Sequence, residues 1–385
     1  MYPSRIDFPD PRHAQGQRLR HGFAAPQRVL AATHPHQVRA VLDAVEAAAR
    51  AGHWCLGWLR YEAAPAFDAA LTVHAPAPDA DAPPLAWFAV YDAPLPWPAD
   101  PPQGQEARID WDAGPSRADF DAALARIHQG IAAGRYYQVN YTAALTGAWR
   151  GDAGALFAAL QRAQPGGYAA HVDDGAGRQL LSVSPELFFD WRAAPDGAGD
   201  ILTRPMKGTA ARGATPEQDA ASAAQLRASP KERAENVMIV DLLRNDLARI
   251  ACPHSVRVPR LFHTERLPTV WQMTSDVVAR TRAGTRLSDV FAALFPCGSV
   301  TGAPKVEAMR AIRDLEAGPR GVYCGALGLV RPDGAGGLAA TFNVPIRTVE
   351  LHGVQARCGI GSGITWGSQA DAEWSEWAAK RAFVE

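Results

Sequence analysis

The chain has 385 residues, 47% of them hydrophobic and 21% charged, with a formal net charge of -1. That is enough apolar material for a large core in one big or two ordinary domains. Charge this close to zero, with Lys and Arg spread along the chain, argues against nucleic acid or an anionic membrane as partner. There is no apolar run of about 18 residues to span a membrane, and Met1–Asp7 lacks the apolar block of a signal peptide. Cys55, Cys252, Cys297, Cys324 and Cys358 are scattered and show no C-x-x-C spacing. No zinc site or disulfide framework is expected from them, and reduced thiols suit a cytoplasmic protein.

Residues 1–115 form a first region. A helix is expected at Pro35–Ala51, an apolar stretch at Trp54–Glu62 and a strand at Leu85–Tyr91. The Pro/Ala/Asp-rich passages His74–Pro84 and Ala93–Gln105 read as loop or linker. Residues 116–385 form a second, more densely patterned region. It opens with a helix at Arg117–Ala133. Short strands follow at Tyr168–Val172, Gln179–Val183, Leu187–Trp191 and Ile201–Thr203, and turn clusters sit at Pro195–Gly197 and Pro332–Gly334. Three further helices are expected at Lys231–Ile250, Ala303–Leu315 and Gln369–Phe383. The pattern is α+β with antiparallel strands, without regular βαβ alternation and without an internal repeat.

Two of these helices carry Glu-x-x-Glu. Glu232 and Glu235 lie on one, and Glu373, Glu376 and Lys380 on the other. Helical geometry puts each set on one face. Like charges at this spacing cost about 0.2–0.5 kcal/mol per pair. The apolar flanks Val237–Val240 and Leu242–Leu243 suggest that the first helix is largely buried, and Trp374 and Trp377 bracket Glu376 on the other. Paired buried carboxylates suit Mg²⁺, which takes oxygen ligands. On periodicity alone, solvated glutamates on amphipathic helices are the commoner case.

Gly359-Ile360-Gly361-Ser362-Gly363 lacks the spacing of a dinucleotide fingerprint and fits a carboxylate-binding turn better. Gly298–Lys305 has the wrong spacing for a P-loop, and Pro304 reads as a first-turn helix residue. Lys207, between Pro205 and Gly208-Thr209, is a candidate nucleophile. A lone lysine is more often snorkelling or salt-bridged.

Taken together, several runs resemble the chorismate-utilising enzymes, the family of the anthranilate, aminodeoxychorismate, isochorismate and salicylate synthases. They are Gly134–Asn140, Ser184–Phe188, Arg204–Thr209, Glu235–Asp246, Phe295–Lys305, Tyr323–Gly325, Ile346–Thr348 and Gly359–Lys380, in the family's order over residues 117–380. The resemblance implies an anthranilate-synthase-type fold of antiparallel sheets with helices packed outside. It implies Mg²⁺ on Glu235 and Glu376, with Glu232 and Glu373 in support. The ring carboxylate of chorismate would be held by that ion, Lys380 and the amides near Gly361 and Gly363. The enolpyruvyl carboxylate would go to Tyr323 and Arg347. Glu186 would be the general acid on the departing 4-hydroxyl, and Thr209 would line the site.

Two positions discriminate within the family. Water-adding relatives place a lysine base where this chain has Gln138, and an amide cannot deprotonate water. Anthranilate synthases carry a small residue where this chain has Lys207, whereas aminodeoxychorismate synthases carry lysine. The resemblance therefore implies amination of chorismate at C4, with Lys207 as covalent nucleophile, as the first step toward 4-aminobenzoate and folate. Anthranilate synthesis and a non-catalytic interaction subunit are the alternatives. Gln272 departs from the family, since many relatives have histidine there; glutamine can donate a hydrogen bond but cannot transfer a proton near pH 7. No cysteine lies in a G-x-C-x-G nucleophile elbow, so ammonia is expected from a separate glutamine amidotransferase subunit. With the chain ending at Glu385, conversion of the product to 4-aminobenzoate is expected of another protein.

Overall fold

Residues 4–12, 16–75, 83–98, 107–267 and 270–384 are described in a computed structural model. The Pro/Ala-rich passages expected as loops at 74–84 and 93–105 lie largely outside these residues. Two antiparallel sheets hold the described strands. The first runs Gly302–Ala303, Gln138–Gly151, Gln355–Thr365, Thr348–His352, Arg178–Ser184, Tyr168–Asp173, Ser4–Pro9, Arg18–Phe23. The second runs Met206–Ala211, Val270–Thr281, Gly199–Arg204, Leu187–Ala193, Leu338–Asn343, Ala326–Pro332, Trp54–Leu59, Ala86–Tyr91, Arg28–Ala32. Strands from residues 1–115 enter both sheets, so the change in sequence texture near residue 115 does not coincide with a break in either.

The layering follows from strand alternation, which sends successive side chains to opposite faces. Ile6, Phe8, Leu56, Trp58, Tyr168, Leu180, Leu202 and Leu329 point inward and pack the sheets face to face. On the outer face of the second sheet, Phe88, Phe189, Trp191 and Phe342 meet helices Pro35–Arg50, Pro230–Ala248 and Leu287–Leu294. On the outer face of the first, Tyr141, Leu145, Leu181 and Ile360 meet helices Arg117–Ala132, Ala153–Ala163, Lys305–Leu315 and Ala370–Arg381. The result is the expected α+β arrangement of antiparallel sheets with helices outside.

Three local expectations differ from what forms. Gly359–Gly363 is not a turn but the middle of strand Gln355–Thr365. Pro304 is the N-cap residue, and its helix begins at Lys305. Helix Pro230–Ala248 is buried along one stripe only, since Val237 stays 37% exposed. Among the described residues, no helix is long and apolar enough to cross a membrane, and all five cysteines are free thiols.

A buried ion pair fastens the first sheet to the site's floor. The Arg320 guanidinium donates to both oxygens of Glu316 (2.7 and 3.0 Å), to Val300 O (2.7 Å) and to Asn140 O (2.6 Å). Glu316 also accepts from the Thr142 amide and hydroxyl at 2.9 and 2.8 Å. Removing one partner leaves the other charge unpaired in a dry interior, at about 3–5 kcal/mol. Arg320→Met is therefore expected to lower unfolding free energy by that amount in chemical denaturation, and a change under about 1 kcal/mol would contradict the assigned role.

Candidate active site

Both sheets and two helices converge on one cavity of about 1320 Å³. Its lining includes Glu186, Lys207, Thr209, Glu232, Glu235, Tyr323, Arg347, Gly361, Gly363, Glu373, Glu376 and Lys380. These are the residues singled out from sequence, with one exception. Gln138 stands one layer back, fully buried behind Gly363, with both amide atoms unpartnered.

Lys207 owes its position to an irregular strand. Met206–Ala211 pairs with Val270–Thr281 through Met206↔Thr274 and Thr209↔Gln272, and the register shifts between them. Such a bulge bends the strand and re-aims a side chain. Gly208 sits in it at φ +94°, a conformation that other residues rarely adopt. A Cβ there would also lie 2.9 Å from a Glu232 carboxylate oxygen. Lys207 thereby faces Glu186, Glu232, Glu235 and Glu376, whose ionisation its charge favours.

Glu186 precedes strand Leu187–Ala193 and is 4% exposed. Its amide donates to Ser184 Oγ at 3.2 Å, and its Oε1 has no protein partner. Burial raises its pKa to about 7, although the Ser299 hydroxyl and the Lys207 charge oppose the rise. A carboxyl so poised holds a proton at neutral pH and can release it.

The four helical glutamates sit differently. Ser229 accepts from the Glu232 amide and Pro230 fills the next position, which fixes the helix start and puts Glu232 in its first turn. Burial is the main cause raising Glu232 and Glu235, and neighbouring carboxylates add to it against Lys207 and Lys231. Glu373 is buried and accepts from Ser362 Oγ at 2.7 Å. Glu376, unlike Glu373, is exposed; partial desolvation works upward, but Lys380 at 2.6 Å outweighs it and lowers the pKa. Among the described residues no three His, Cys, Asp or Glu converge tightly enough to hold a metal unaided. Carboxylate oxygens around one cavity, two of them disfavoured as anions, nonetheless fit a hard divalent cation that draws its other ligands from water or substrate.

The anion-seeking groups begin beside Glu376, on the same helix. Lys380 Nζ donates to Gly361 O at 2.7 Å. Gly361 and Gly363 pair with Thr142 and Asn140. The amides of Thr142 and Asn140 turn away, to Glu316 and to Thr301 O. Those pairs are therefore non-hydrogen-bonded, and the Gly361 and Gly363 amides face the open edge of the strand. Arg347 is held at φ +49° and donates to the Gln164 side chain. Burial lowers its pKa, and no carboxylate of the described residues lies within 4.0 Å of it. An unpaired, partly desolvated guanidinium facing a cavity is an anion site. Tyr323 packs its ring on Gly359, and burial raises its phenol pKa well above the ordinary value. Cys324 and Arg347, both non-glycine residues at positive φ, are strained at about 1–3 kcal/mol each, as residues around functional sites often are.

Sequence reasoning passed over Ser299 and Gln164, which line the cavity beside Glu186 and Arg347. Ser299 lies in a run weighed as a P-loop and matched to the family at Phe295–Lys305, but was not singled out; its signal was a hydroxyl next to Gly298. Gln164 gave none.

Two antiparallel sheets with helices outside, meeting at one large cavity, define the class of fold. The chorismate binding enzyme family matches residues 10–385, and the chain belongs to it. It is 42% identical over 268 residues to aminodeoxychorismate synthase component 1 of Klebsiella aerogenes, and 37% over 269 residues to that of Escherichia coli. Each match covers 69% of this chain and 57% of the relative, so the chain spans little more than half the length of these curated relatives. It is 38% identical over 266 residues to anthranilate synthase component 1 of Streptomyces coelicolor, covering 69% of this chain and 50% of that one. The fold is shared with two solved structures. Anthranilate synthase component I of Streptococcus pneumoniae gives a TM-score of 0.75 at 22% identity, over 99% of this chain and 90% of that one. The menaquinone-specific isochorismate synthase of Escherichia coli gives 0.74 at 17%, over 100% and 89%.

Glu186 makes a pH-dependent prediction. Folding raises its pKa from 4.5 to about 7. The native state thus binds this proton more tightly, and stability falls as pH climbs between those values. The cost is absent below about 4.5 and complete above about 7, at about 3 kcal/mol. Glu186→Gln should therefore gain up to that amount over the parent chain above pH 7, and nothing below pH 4.5, in denaturation at several pH values. A pH-independent difference would refute the buried neutral carboxyl.

Proposed function

We propose that this chain aminates chorismate at C4, giving 4-amino-4-deoxychorismate, the first step toward 4-aminobenzoate and folate. The observation that carries the reading is Lys207, aimed by its bulge into the same cavity as the buried carboxyl of Glu186. Glu235 and Glu376, backed by Glu232 and Glu373, would hold Mg²⁺, which supplies positive charge for the ring carboxylate. Lys380 and the open-edge amides of Gly361 and Gly363 bind that same carboxylate. Arg347 and Tyr323 bind the enolpyruvyl carboxylate, and Thr209 lines the pocket.

The chemistry is a pair of conjugate displacements. Lys207 gives up its ammonium proton to solvent, to be regained at the end of the cycle; its free amine forms a bond to ring C2, the diene electrons shift, and the C4–O bond breaks. Glu186 gives its proton to the departing hydroxide, which leaves as water. Ammonia then bonds to C4, the diene shifts back, and the C2–N bond breaks with its electron pair returning to Lys207. The proton shed by the new ammonium restores Glu186. The sum is chorismate plus ammonia giving product plus water, with the pyruvyl group retained.

Gln138, an amide where water-adding relatives place a lysine, argues against hydroxylation. Ammonia comes from glutamine through a separate glutamine amidotransferase subunit, which free ammonium replaces in vitro. The protein acts in the cytoplasm.

With chorismate, Mg²⁺ and ammonium, mass spectrometry should find 4-amino-4-deoxychorismate and fluorimetry no anthranilate. Prompt anthranilate would move the assignment to anthranilate synthesis. Absence of turnover, even with a glutaminase present, would make the chain an interaction subunit. Lys207→Ala should lose most C4 product and gain product aminated at C2, where ammonia then reaches the carbon the lysine attacks. Undiminished C4 amination in this variant would refute covalent catalysis.

A further inference from the structure

Gln272 lies on strand Val270–Thr281, 8% exposed, beside the bulge that carries Lys207. Both ends of its amide are engaged there. Its Nε2 donates to the carbonyl of Gly208 at 2.8 Å, and its Oε1 accepts from the Thr209 hydroxyl at 3.0 Å. The orientation is fixed chemically, because the Gly208 carbonyl can only accept and so demands the nitrogen. Gly208 and Thr209 are the two residues that follow Lys207. At the bulge the regular ladder is interrupted, so the backbone there lacks the pairing that holds a continuous strand. The amide stands in for the missing ladder bonds.

We infer that Gln272 is a positioning residue: it clamps the Lys207–Gly208 bulge and so fixes the direction from which the Lys207 amine reaches the substrate. This rests on Lys207 being the nucleophile. Gln272 itself neither touches the reacting atoms nor moves a proton. The task needs one donor and one acceptor at the end of a side chain of this length, and a neutral amide meets it without adding charge beside the glutamates. Loosening the clamp lets the amine wander, and a displacement of about 1 Å at a reacting atom can cost on the order of 100-fold in rate.

The test uses the full chain with chorismate, Mg²⁺ and ammonium, and reads two quantities. One is the ratio of C4-amino to C2-amino product. The other is the rate at which Lys207 forms its adduct when ammonia is withheld. Gln272→Met keeps the size and removes both bonds. It should lower the adduct rate by on the order of 10- to 100-fold and shift product toward C2, with KM for chorismate unchanged. Gln272→Glu, which sets an oxygen against the Gly208 carbonyl, should do the same, and Thr209→Val should do so more weakly. Thr209→Ser, which keeps the hydroxyl that Gln272 accepts from, should hold the parental product ratio. Simple loss of folded protein lowers the total rate without moving the ratio. Parental ratio and adduct rate in both Gln272 variants, while Lys207→Ala still redirects product, would overturn the clamp alone. If Lys207→Ala redirects nothing, the nucleophile and its clamp fall together.

Discussion

The site depends on an electrostatic constraint: Lys207 must face several carboxylates inside a cavity that desolvates some of them. Burial drives the Glu186 pKa up, and the lysine charge checks the rise without cancelling it. Glu186 is left near neutrality, able to hold a proton and to give it up. The same lysine opposes the rise at Glu232 and Glu235 and helps lower Glu376. A cation at this point thus sustains a whole set of acids, and the fold invests considerable irregularity to place it. The irregularity includes a bulge, a glycine at positive φ beneath Glu232, and a glutamine whose two ends pin the loosened backbone.

The rest of the architecture serves to bring distant chain segments to that point. Helix Pro230–Ala248 and helix Ala370–Arg381 present their glutamates from opposite sides, starting from different sheets. Strand Gln355–Thr365 pairs with Gln138–Gly151 along its full length but with Thr348–His352 only up to Cys358. Its last residues therefore keep an open edge where the Gly361 and Gly363 amides are unpaired. A Cβ at Gly363 would meet the Gln138 amide and come within 2.9 Å of Lys207 Nζ, so a larger residue there would push on both side-chain ends.

Much of this was legible in the sequence where the signal is local. Helices Pro35–Arg50, Arg117–Ala132 and Pro230–Ala248, and the hairpin between Leu187–Ala193 and Gly199–Arg204, follow from periodicity, caps and turn residues. The glycine run was misread as a turn because its glycines answer to Tyr323, Thr142 and Gln138, remote in sequence. The meeting of Glu186, Lys207 and the helical glutamates was legible only through family resemblance, since spacing alone does not join residues nearly 200 positions apart. The Lys207 bulge and the Gln272 clamp were illegible, because strand register emerges only from pairing.

The central claim is that Lys207 forms a covalent bond to the substrate. The direct measurement is intact-protein and peptide mass spectrometry after incubation with chorismate and Mg²⁺, without ammonia or glutamine. The account predicts a mass gain equal to chorismate less water, on the peptide containing Lys207, discharged to 4-amino-4-deoxychorismate when ammonium is added. An unmodified Lys207 peptide, from enzyme that still makes the C4-amino product once ammonium is supplied, would contradict it.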